Sequence, residues 1–242
     1  MGSFTLSFGT NWTSIVATFK AAGGSPPPPP PPPPPSPITQ VQSTAVQGSA
    51  VSSVSASFAS NNRGGDLIIA VVRMSTTTQS ATVSDTAGNS YFQAAHVTQT
   101  SDGHQLFIFY AKSVAGLANR VTATFSGTNN HPWLAIFEYG GLNTQNPFDQ
   151  AAGAQGGGSV ADSGPTNTTT ASTELVFAAT GLPASYTGAA SAGSGFALAQ
   201  QDTSTSRAAT ETAITGSTGR FDGVFNLSPG TNWTAAVATF RQ

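Results

Sequence analysis

A carboxylate in the middle of an apolar run is where this chain first offers chemistry. Residues 133–139 read Trp-Leu-Ala-Ile-Phe-Glu-Tyr, and strand alternation places Leu134, Ile136 and Glu138 on one face and Trp133, Ala135, Phe137 and Tyr139 on the other. Both faces are apolar, so Glu138 is expected to be buried, and a buried carboxylate requires a partner. Arg73 stands at the end of the other strongly apolar run, residues 67–72. A structural ion pair between Arg73 and Glu138 is the expected answer, and an acid of raised pKa in a cleft is the functional alternative. The segment Asp85-Thr86-Ala87-Gly88-Asn89 is the second candidate. Asp85 and Asn89 supply the hard oxygen atoms that Ca²⁺ takes, while the same five residues suit a bare hairpin turn, where Gly and Asn accept positive φ.

Other reactive types form no constellation. His96, His104 and His131 occupy no i,i+2 or i,i+4 pair and read as surface or loop residues. No Gly-x-Ser-x-Gly elbow is present. Glu138, Glu174 and Glu211 fall in three separate strands, without the visible carboxyl pair that glycoside hydrolysis needs. The chain is therefore read as non-catalytic. Trp133 and Trp233 are the candidate platforms for stacking a sugar, with a core role as the other reading.

The elements that must hold these residues are strands. From residue 38 onward, short alternating runs are broken by turn residues at the spacing of sandwiches and barrels. Residues 67–72 and 133–137 are apolar on both faces and predict central strands. Val121, Ala123 and Phe125 alternate with Thr122, Thr124 and Ser126, as in a strand with one face in water. No stretch keeps a 3.6-residue apolar stripe. The expected fold is all-β: an antiparallel two-sheet β-sandwich, jelly-roll-like, with about thirteen strands. Residues 143–167, containing Gly156-Gly157-Gly158 and Gly164-Pro165, show no pattern and are expected to be a long loop, draped on the surface or used in binding.

The ends of the chain repeat one another. Residues 4–20 and 225–241 are identical at 12 of 17 positions, and Lys20 matches Arg241 in charge. Ten consecutive prolines, Pro26 to Pro35, follow the first copy; as polyproline II they would span roughly 30 Å. Three parts are expected: an isolated strand segment over 1–20 that duplicates the C-terminal strand, a Gly/Pro-rich linker over 21–37, and a β-sandwich domain over 38–242. Detached from a sheet of its own, the first copy would expose Phe4, Leu6, Trp12, Ile15 and Phe19 together with unpaired backbone, a template for pairing with another chain.

Composition narrows the partners. Charged residues make up 7% of the 242, the net charge is −2, and no basic cluster occurs, so a nucleic-acid surface is not expected. No apolar run reaches the ~18 residues of a membrane-spanning helix. With no cysteine, disulfides and thiolate metal sites are excluded.

The segments Asp66-Leu67-Ile68-Ile69-Ala70, Val83-Ser84-Asp85-Thr86-Ala87-Gly88-Asn89-Ser90-Tyr91 and Ile136-Phe137-Glu138-Tyr139-Gly140-Gly141-Leu142, with the closing Asn232-Trp233-Thr234, resemble a β-sandwich domain repeated in large secreted or surface proteins of environmental bacteria. The resemblance implies an extracellular or cell-surface bacterial module and carries no catalytic residues with it. The functions expected are a structural or adhesive module that meets other copies of itself, head to tail through its first strand, or a carbohydrate-binding module with a polysaccharide partner.

Overall fold

The computed structural model describes residues 36–202, 204 and 207–242 and, before them, residues 5, 9, 11–20 and 23. The chain divides into two units, Met1–Pro34 and Pro35–Gln242. In the first unit, described residues 11–20 take part in no helix or strand pairing. Phe4, Leu6 and the prolines 26–35 lie outside the described residues.

The second unit is all-β, and no helix forms among the described residues. Its strands are β1 (Thr39–Gln47), β2 (Val51–Ser57), β3 (Leu67–Met74), β4 (Ala81–Asp85), β5 (Phe92–Gln99), β6 (His104–Ala111), β7 (Arg120–Asn129), β8 (Trp133–Gly140), β9 (Phe148–Asp162), β10 (Glu174–Gly181), β11 (Ala189–Ala192), β12 (Ala197–Gln201), β13 (Ala208–Thr215) and β14 (Val224–Arg241). Every ladder among the described residues is antiparallel, as expected, and these ladders form three sheets rather than two. One five-stranded sheet runs β1-β8-β3-β6-β5, a three-stranded sheet runs β2-β7-β4, and a six-stranded sheet runs β11-β14-β10-β13-β12 with β9 also on β14.

The five-stranded sheet is the centre. All eight residues of β3 and of β8 are buried, which is why both runs lack alternation. Their odd-numbered residues, Leu67, Ile69, Val71, Ala135 and Phe137, pack with Leu175, Phe177 and Phe240 of the six-stranded sheet. Their even-numbered residues, Ile68, Ala70, Val72, Leu134 and Ile136, pack with Val54, Val121, Ala123 and Phe125 of the three-stranded one. In that outer sheet Val121, Ala123 and Phe125 are buried while Thr124 and Ser126 face solvent, as the alternation of β7 requires. Strands β1 and β8, β2 and β7, and β3 and β6 pair as nested partners. This is a chain folded back on its midpoint and rolled over two sheets, a jelly-roll order.

The second half of the unit repeats the plan. Strand β9 pairs along β14, and β10 pairs with β13 and β14. The expected loop over 143–167 is thus largely a strand, Phe148–Asp162. Its alanines and glycines carry too little side chain to show alternation. At Gly158 and Gly230 both long strands bend together: a Cβ on Gly230 would stand 2.7 Å from the Gly158 carbonyl carbon, so glycine is required there. After the bend, Phe225 and Leu227 fold over Ala178, Ala235 and Val237, and a third core closes.

The registers of the halves match in detail. Leu67 lies opposite Tyr139, and Leu175 lies opposite Phe240, so Asp66 and Glu174 are equivalent. On that match the irregularity between Gln93 and Ala95 of β5 falls where β12 has one between Leu198 and Gln200. The irregularity between Gln40 and Gln42 of β1 likewise falls where β9 shifts against Ala238 and Phe240. Contacts between the halves are reciprocal. Residues of β1 meet the β12 end through Gln200–Ser43 at 3.0 Å and Gln47–Asp202 at 3.3 Å, and residues of β5 meet β9 through Gln99–Gly156 at 2.9 Å. Because β1 corresponds to β9 and β5 to β12, this is the exchange an isologous interface makes. The unit is built as two halves on one plan, eight strands (β1–β8) and six (β9–β14, of which β9 and β14 are long and bent), joined through their large sheets.

Candidate functional site

Of the residues expected to do chemistry, Glu138 is buried as expected, but not beside Arg73. Strand pairing sets Glu138 opposite Ile68, and Arg73 opposite Trp133, at the other end of β3. Five strand positions separate them, about 16 Å at ~3.3 Å per residue. The faces also differ: Glu138 follows Leu134 and Ile136 toward the three-stranded sheet, whereas Arg73 follows Leu67, Ile69 and Val71 toward the six-stranded one. The ion pair is therefore corrected. Proximity in sequence to a strand end does not say which end meets which once the strands run antiparallel.

Glu138 is satisfied by neutral donors. Gln42 Nε2 donates to it at 2.6 Å, Asn62 Nδ2 at 2.8 Å and the Arg63 backbone N–H at 2.6 Å. Asp66 is its other partner. Burial first, then the charge of Glu138 and a hydrogen bond to it, push the Asp66 carboxyl up to about 6. The matched position in the second half does the same. Glu174 is fully buried, accepts from Ala171 N–H at 3.1 Å, and is pushed up to about 7 by burial and by its hydrogen bond to Asp149. Asp149 also accepts from the Thr170 N–H at 2.6 Å and hydroxyl at 2.8 Å. Two buried acids, Asp66 and Glu174, thus sit at corresponding places, each pushed up by burial first and by a second carboxyl beside it.

Asp66 opens on a shallow cleft of about 340 Å³ with Gly64, Gly65, Gly141, Thr144 and Gln242. A second cleft of about 240 Å³ is lined by Gln47, Gly48, Ser49, His131 and Arg207. Among the described residues no group of three His, Cys, Asp or Glu side chains is placed to hold a metal.

The Asp85 turn is a brace and does not fit a cation. Asp85 accepts from Asn89 N–H at 2.9 Å, Asn89 Nδ2 at 2.7 Å, Tyr91 OH at 3.0 Å and Asn119 Nδ2 at 2.8 Å. Burial opposes ionisation of Asp85, but the bonds from Asn89, Asn119 and Tyr91 outweigh it and hold the carboxyl below its ordinary value. Asn89 Oδ1 is taken by the Ala115 N–H at 2.9 Å. Hydrogens already point at the oxygens that Ca²⁺ would need.

The sugar-stacking role of Trp133 and Trp233 is corrected as well. Trp133 is 2% exposed in the core between the large sheets, and Trp233 is 8% exposed against Gly156. Neither ring presents a face to solvent. His104, expected at the surface, is buried: its Nδ1 meets Asp102 at 2.6 Å and its Nε2 meets the Gly181 carbonyl at 2.9 Å. Burial and the Arg73 charge hold it below its ordinary value, with Asp102 and the Gly181 carbonyl acting the other way. His96 stacks on Phe107 at 4.1 Å.

The chain matches no family model, no curated protein and no solved structure. Function is accordingly read from geometry. The assembly candidates split: Phe4 and Leu6 lie outside the described residues, while Trp12, Ile15 and Phe19 are 70%, 89% and 93% exposed. Sequence reasoning missed the acid pairs. Their signal was the likeness of Asp66-Leu67-Ile68-Ile69-Ala70 to Glu174-Leu175-Val176-Phe177-Ala178, two strands each opened by an acid.

Proposed function

We propose that this chain is a non-catalytic structural or adhesive module of the bacterial cell surface or extracellular space, which joins other copies of itself through residues 4–20. The single observation that carries the reading is the exposure of Trp12, Ile15 and Phe19 in a segment whose sequence twin, β14, buries its apolar residues between sheets. Shallow clefts, buried tryptophans and a charge content of 7% support a scaffold more than a sugar-binding or catalytic surface.

Addition to an edge is favoured over exchange with β14. Strand β14 already lies between β9 and β10. The N-terminal copy would put Ser14 where Ala235 is buried and Ile15 where Ala236 is buried. A hydroxyl in one core and three extra carbons in another cost on the order of 1–3 kcal/mol each. The β9 edge is the better acceptor: fifteen residues long, with no charged residue between Asp149 and Asp162, it lacks the lysines that blunt such edges. Head-to-tail addition is heterologous and propagates unless it closes.

Multi-angle light scattering of the full chain, of the chain lacking residues 1–25, and of the Ser159→Lys/Val160→Lys variant tests this. The full chain is expected to form concentration-dependent oligomers, the truncated chain to be monomeric, and the edge variant to associate less. A full chain that stays monomeric at millimolar concentration overturns the proposal; association that survives truncation overturns the role of residues 4–20.

A further inference from the structure

The cleft lined by Gln47, Gly48, Ser49, His131 and Arg207 has an unusual charge setting. Two turns form its wall, tied together by Gly48 N–H donating to the Pro132 carbonyl at 2.9 Å and Ala50 N–H to the Asn130 carbonyl at 3.3 Å. Arg207 closes the other side: its Nε donates to the Ala184 carbonyl at 3.4 Å and stands 4.0 Å from Asp202. Behind His131 lies Arg73, 1% exposed. Its guanidinium donates to the His131 carbonyl at 3.0 Å, to the Leu182 carbonyl at 2.6 Å and to the Ser75 hydroxyl. Its Nε has no partner, and among the described residues no carboxylate lies within ion-pair distance of it. A buried cation satisfied only by carbonyl and hydroxyl dipoles is a costly arrangement. Burial and the neighbouring Arg207 push Arg73 down to about 9, with the charges of Asp102 and Asp202 acting the other way. His131, facing the cleft, is held below its ordinary value by burial and by both guanidiniums.

We propose that this cleft binds a small oxyanion, a carboxylate, sulfate or phosphate group, between Arg207, His131 and the turn at Gly48 and Ser49. Arg207 offers the planar fork that matches such groups, the imidazole gains a proton beside the anion, and the Ser49 hydroxyl is exposed at the rim. The volume, about 240 Å³, falls below the ~300–1,000 Å³ of pockets that enclose drug-sized ligands, so the cleft takes an anionic group and not a whole oligosaccharide. The site is independent of strand-mediated assembly.

Amide and imidazole NMR of the full chain, titrated with sodium sulfate, phosphate or galacturonate against chloride at constant ionic strength, reads the binding. Saturable shifts at Gly48, Ser49 and His131 are expected, with Kd on the order of millimolar, and a rise of about half a pH unit in the His131 titration midpoint. Arg207→Gln should weaken binding about tenfold. Ser49→Asp, at an exposed turn position that leaves the core untouched, should abolish it. The order of the three anions identifies which group is preferred. Shifts no larger than those in chloride, or shifts unchanged in Ser49→Asp, overturn the site.

Discussion

At the residue scale, protons rather than ion pairs settle the buried acids. Asp66, Glu174 and Glu211 are pushed up to about 6, 7 and 7 from ordinary values of 3.8, 4.5 and 4.5, with burial the first cause in each. A raised folded pKa gives stability that is fully present below the unfolded value and lost as pH rises through the folded one. These three carboxyls therefore make the unit more stable near pH 5 than at pH 8. His104 acts in the opposite sense: with its folded pKa depressed, its contribution is present above 6.5 and fades as pH falls. Glu174→Gln keeps a donor toward Asp149 and an acceptor for the Ala171 N–H while removing the titration. Calorimetry should find its Tm about 3 °C above the parent at pH 8 and level with it at pH 4.5; a lower Tm at pH 8 would mean that the fold favours the ionised form of Glu174 and that its pKa is not raised. Arg73 and Glu138 give a second test. In a double-mutant cycle with Arg73→Met and Glu138→Gln, the coupling should be below about 0.5 kcal/mol, as for residues without shared partners.

At the element scale, β14 shows how closely one strand is fitted to its place. It serves two cores, Phe225, Leu227, Ala235 and Val237 in one and Ala236, Ala238 and Phe240 in the other. Gly223 lies so near Ala178 that a Cβ there would stand 2.3 Å from the alanine methyl. Installing the residues of the N-terminal copy, Ala235→Ser with Ala236→Ile, should cost roughly 2–5 kcal/mol, measured by urea unfolding of the chain lacking residues 1–25. A variant as stable as the parent would show that the two copies are interchangeable, and exchange with β14 would replace edge addition as the route of assembly.

At the scale of the whole molecule, the halves are joined through a buried apolar cluster to which both large sheets contribute. Leu67, Ile69, Leu106, Ile108 and Phe137 on one side meet Leu175, Phe177 and Phe240 on the other. Residues 36–142 expressed alone hold a complete set of nested strands yet would present that sheet face to water. The half-chain should therefore associate, and because its natural contact is reciprocal, a dimer is the expected species. Sedimentation measures this directly, and a stable monomer would show that the large sheets do not need each other.

The sequence by itself determined the class of the protein. Uninterrupted apolar runs predicted β3 and β8 as central strands, alternation predicted β7 as half-solvated, and the absence of any helical stripe left only strands. These features are local, because side-chain direction in a strand follows from period two alone. The burial of Glu138 was legible for the same reason. Its partner was not. Which acid meets which depends on the register between strands far apart in sequence, and Arg73 and Glu138 are parted by a pairing that no local pattern encodes. Strand β9 escaped detection because alanine and glycine leave little contrast between its faces. The duplication of the two sandwiches was hidden because its halves share bulge positions and pairing order far more than residue identity. Tertiary structure alone decided those matters, since pairing register is fixed by the sum of contacts across sheets and not by any one strand.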